Sequence, residues 1–142
     1  MMVGEDRFHI LASVAASCVL SQSQTPALIT LSLQRARFCE LLAPLVGEDP
    51  SEQFMLGLLS LLDAMLETSM EAIVKTLPLR AEARSALLGV ANPSAAPLCL
   101  IRSFESGAWV NCTSAADHLA VSEETLTRLY IESVKWATDA LA

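Results

Sequence analysis

At 142 residues and 15.2 kDa, the chain has the size at which a single hydrophobic core forms, and a 53% apolar content with 24 Leu and 21 Ala excludes intrinsic disorder. Nine Lys and Arg against sixteen Asp and Glu give a formal charge of −7 and a pI near 4.7. No basic run is present to neutralise phosphates, which argues against direct nucleic-acid binding. Leu and Ala favour helices, only 5 Gly and 6 Pro interrupt the chain, and no long apolar/polar alternation suggests a sheet. The expected class is therefore all-α: one compact domain over residues 1–142, with about seven or eight helices.

The first helix is expected over Asp6 to Ser21. Its run Phe8 to Leu20 is nearly all apolar, but the preceding Glu5, Asp6 and Arg7 are net acidic, where a signal peptide needs a positive segment. The run is also too short to span a bilayer. It reads as a buried helix, and the box Ala15-Ala-Ser-Cys18 is a weak imitation of a lipoprotein cleavage site. Thr25 and Pro26 open a second helix that runs to Val46, with Pro44 ending or bending its last turn, and stops at Gly47. Asp49, Pro50 and Glu52 form a capping box for a third, apolar nearly all round, so that Gln53 to Glu67 is the expected centre of the domain and Gly57 the point of close helix approach.

Thr68 and Glu71 repeat the capping pattern for a short helix that Pro78 ends. Residues 80–89 form the next helix, Val90 to Pro97 a connector, Leu98 to Phe104 a helix closed by Gly107, and Ala108 to Leu119 another. Ser122 caps the last helix, with Glu123 and Glu124 at the positive end of its dipole.

The chemistry-bearing residues are few. Cys18, Cys39, Cys99 and Cys112 form no CxxC pair and read as small buried hydrophobes in a reducing cytoplasm, without disulfides. His9 fits a core or interface position, and the neighbours Asp117 and His118 point to different sides of a helix. The sequon Asn111-Cys-Thr113 matters only in a secreted chain, and no phosphate-binding loop is present. No cofactor or catalytic metal is expected. Arg35, Arg37 and Glu40 lie in the second helix and Asp63 interrupts the densest apolar run. A buried carboxylate needs a partner, so Asp63 is expected to pair with Arg35 or Arg37, as a structural link or a ligand contact.

Four segments, Arg35-Ala-Arg-Phe-Cys-Glu40, Gly57-Leu-Leu-Ser-Leu-Leu-Asp63, Leu77-Pro-Leu79 and Phe104-Glu-Ser-Gly-Ala-Trp109, resemble in order and spacing the C-terminal part of an HDOD domain, of the type that follows EAL domains in bacterial cyclic di-GMP signalling proteins. The resemblance covers residues 25–142 and leaves 1–24 as a helix of uncertain origin. HDOD domains are similar to HD phosphohydrolases, whose adjacent His and Asp metal ligands would fall at Ser60 and Leu61. Serine is a poor ligand and leucine none, so the resemblance implies a chain that is not an enzyme. No EAL segment precedes Thr25 and the N-terminal helices of a complete HDOD domain have no counterpart before Phe8, so the resemblance implies a fragment or a reduced homologue.

The implied function is a cytoplasmic, non-catalytic signalling module that works through protein contacts, with an EAL or other signalling protein as partner. An alternative is a small-molecule sensor whose pocket is oriented by Arg35 or Arg37, and a third is a degenerate HD-type phosphohydrolase. The excess of apolar helix surface, above all at Phe8 to Leu20, predicts a homodimer. Neither nucleic acid nor membrane is expected as a partner.

Overall fold

The structure, a computed structural model, describes residues 26–77, 79–90, 92–107 and 121–140. It is all-helical, and no strand occurs among the described residues. The helices expected over 6–21 and 108–119 lie outside them.

Helix α1 (Pro26–Leu42) starts on proline, whose missing N–H costs nothing at a helix start. At Ala43 the chain tightens into a 3-10 turn over Ala43–Val46 that contains Pro44, and Gly47 ends it in the left-handed region at φ 74°. Helix α2 (Pro50–Leu59) follows, with the Asp49 carboxylate accepting from the Glu52 N–H at 2.9 Å. The reciprocal half of the expected capping box is not used, because the Glu52 carboxylate turns outward to the Arg80 guanidinium. Every residue from Gln53 to Leu59 is buried, as a helix without a polar face requires.

The expected continuous helix to Glu67 breaks at Ser60–Leu61. The Ser60 hydroxyl donates to the Gly57 carbonyl at 2.7 Å, and the Ser60 N–H reaches the same oxygen at 3.4 Å. The carbonyl is thus engaged three residues on instead of four, and the turn tightens. A separate short helix α3 (Leu62–Leu66) closes at Glu67, which takes a left-handed φ of 52°. Helix α4 (Met70–Val74) is capped by Ser69 and not by Thr68, with the Ser69 hydroxyl accepting from the Ala72 N–H at 3.3 Å. Helix α5 (Ala81–Leu87) and a 3-10 turn at Pro93–Ala95 lead into α6 (Ala96–Ser106), which ends at Gly107 with φ 73°. Pro97, expected in the connector, lies in the first turn of α6. Helix α7 (Glu123–Ala140) is capped by Ser122, whose hydroxyl accepts from the Thr125 N–H at 3.1 Å.

Two apolar clusters share α1. One gathers Ala36 with Phe54, Leu56, Leu59, Ile73 and Leu87 from α2, α4 and α5; the other gathers Phe38, Cys39 and Leu42 with Leu98, Ile101, Leu126 and Leu129 from α6 and α7. Gly57 lets α2 lie directly on α1. A Cβ at Gly57 would stand 2.5 Å from the Arg35 carbonyl oxygen and 2.6 Å from the Ala36 Cα, so only glycine fits there.

Candidate functional site

The close approach at Gly57 brings the middle of α1 against the end of α2, and Arg35 projects from that point towards the C-terminal turn of α6. Its Nε and Nη2 atoms donate to both oxygens of Glu105, at 2.6–3.1 Å. The remaining nitrogen, Nη1, donates to Ser60 Oγ at 3.0 Å, and the Ser60 hydroxyl in turn donates a hydrogen bond to the Gly57 carbonyl. Three helical segments therefore meet on one guanidinium. The two charged side chains are 10% and 15% exposed, dry enough for the fork-shaped pairing to count well beyond a surface ion pair.

Cys39, one turn along α1, is fully buried beside this cluster. Burial pushes its thiol far above the ordinary range, opposed by the Arg35 charge and reinforced by Glu105. The thiol thus stays protonated and acts as a packing group. Phe104, the residue before Glu105, stacks on Tyr130 of α7 with centroids 5.2 Å apart and meets Phe38 of α1 edge-on at 6.1 Å. These rings seat the turn that carries the carboxylate.

Of the four residues singled out from the sequence, Arg35 stands at the centre of the cluster, but its partner is not Asp63. The break at Ser60–Leu61 places Asp63 in the first turn of α3, half-buried, where its Oδ1 accepts from the Ala64 N–H at 2.9 Å. Arg37 points to the other side of α1, donates to Glu40 at 2.6 Å and lies 5.6 Å above the Trp136 ring. The expected Asp63 link is therefore corrected to Arg35–Glu105. Spacing gave no signal for Glu105, because 70 residues separate the partners. Its place in the quoted Phe104–Trp109 segment was the one available pointer.

Both the Arg35 and Arg37 guanidinium groups are engaged in ion pairs, and a shallow concavity lined by described residues runs along the outer face of α7. Among the described residues no three His, Cys, Asp or Glu gather to hold a metal, and no helix is long and apolar enough to cross a membrane. His9 and His118 lie outside them.

The chain is 32% identical over 139 residues to the cyclic di-GMP phosphodiesterase CdgJ of Vibrio cholerae, a match that takes in 96% of this chain and 32% of CdgJ. It is 36% identical over 110 residues to the uncharacterized protein YuxH of Bacillus subtilis, covering 77% of this chain and 26% of that protein. The chain thus spans about a third of one relative and about a quarter of the other. No family model and no solved structure matches it. The CdgJ match corrects the expectation that the chain is not an enzyme, since a relative aligned along nearly all of it is named as one.

Proposed function

We propose that the chain works in bacterial cyclic di-GMP signalling, as a helical regulatory segment that sets phosphodiesterase output through contacts with a signalling partner. The observation that carries this reading is the alignment of 96% of the chain with a protein named a cyclic di-GMP phosphodiesterase. The order of the HDOD-like segments supports the same reading, and with it an HDOD-type helix arrangement. The Arg35–Glu105–Ser60 cluster suits such a role physically. It ties α1, the end of α2 and α6 at one buried point, so a displacement imposed on one helix is carried to the others instead of being lost in side-chain rearrangement. An EAL-type phosphodiesterase is the partner this reading favours.

The test is the cyclic di-GMP pool of the source bacterium with the coding segment deleted and then restored, beside hydrolysis assays on the purified chain alone. Regulation requires a pool that shifts on deletion and returns on restoration. An unchanged pool overturns the signalling role, and turnover of cyclic di-GMP by the chain alone replaces regulation with catalysis.

A further inference from the structure

Helix α7 buries Leu126, Leu129, Ser133 and Ala137 and turns a second face to solvent. Glu124, Arg128, Ile131 and Lys135 follow one another along that face at intervals of four, three and four residues, flanked by Thr127 and Glu132, and all six are exposed. Together they line a shallow groove of about 450 Å³ whose floor is largely apolar, as expected where Arg and Lys stems lie beside Ile131, itself 53% exposed. Glu124 and Arg128, and Arg128 and Glu132, stand one helical turn apart, yet none of these charges makes an ion pair among the described residues.

Read from Glu124 to Lys135, the charges run minus, plus, minus, plus. Reversed, the same row reads plus, minus, plus, minus. A row of this kind is its own complement when two helices lie antiparallel, and it is repulsive when they lie parallel in register. We propose that the outer face of α7 docks on the same face of a second copy of this chain, antiparallel about a two-fold axis. Glu124 then meets the partner's Lys135 and Arg128 meets the partner's Glu132, each pair occurring twice by symmetry, while the Ile131 side chains of both copies fill the grooves between them. The inference stands on the charge order and the groove, and is independent of the signalling role.

Sedimentation equilibrium on the full chain tests it. The wild type is expected at twice the chain mass, with an association that weakens as salt is raised. Arg128→Glu and Glu132→Arg each set like charges opposite each other at two places, and each is expected to weaken the dimer by about tenfold or more. Mixing the two variants restores complementarity in the heterodimer and should return the mass to that of two chains, with circular dichroism confirming that both positions tolerate the change. A wild type at the mass of one chain, reversals without effect, or a mixture that remains monomeric would each overturn the proposal.

Discussion

Removing the Arg35 guanidinium strands the Glu105 carboxylate in a nearly dry site, and that is what makes the cluster experimentally accessible. Arg35→Met is expected to cost about 3–5 kcal/mol in urea unfolding, as for other broken buried pairs. The Arg35→Met/Glu105→Met double variant should lose less than the two single losses added together, and a strictly additive cycle would show that the charges do not interact. Cys39 provides a second residue-scale test through pH. Its thiol has an ordinary value of 9.0 and is held well above it in the folded chain, so its contribution to stability is complete below pH 9.0 and falls as pH rises further, by about 1.4 kcal/mol per unit. Comparing wild type with Cys39→Ala between pH 8 and 10.5 should show a steeper alkaline loss in the wild type; parallel curves would contradict the burial. At this scale the sequence exposed the anomaly of an arginine in an apolar helix but not its partner, because the pairing depends on how α6 returns to α1.

Among the elements, the contact between α1 and α2 has the least tolerance. Gly57→Ala places a methyl against backbone atoms that no rotamer change can move, and a loss of about 1–3 kcal/mol is expected, with the larger values if the helices must separate. Thermal unfolding reads this directly, and an unchanged midpoint would mean that the helices are farther apart than described. The caps at Asp49 and Ser122, the change of helix at Pro44 and the stops at Gly47 and Gly107 were legible because each is a local choice of side chain or backbone angle. The break at Ser60 was not. Leu58 to Leu62 reads as helix by composition, and only the hydroxyl bond to Gly57 with the pull from Arg35 makes the turn tighten. The misplacement of Asp63 follows from that single missed turn.

Across the whole molecule, the all-α class follows from composition, while the division of the apolar residues into two clusters on one shared helix does not, since it depends on which face of α1 each later helix covers. Trp136 packs with the first cluster, edge-on to Phe54 at 6.1 Å, and Tyr130 with the second. In a Trp109→Phe background, Trp136 fluorescence and near-ultraviolet dichroism of Tyr130 should therefore follow one denaturation curve; separate midpoints would show that the clusters melt independently. The shared helix also orders the chain in time. The amides in the middle of α1, around Ala36 to Cys39, lie between two walls that must both dissolve before water reaches them, so they should be the last to take up deuterium, at a rate set by global unfolding, while the outer turns of α7 exchange through local fraying long before.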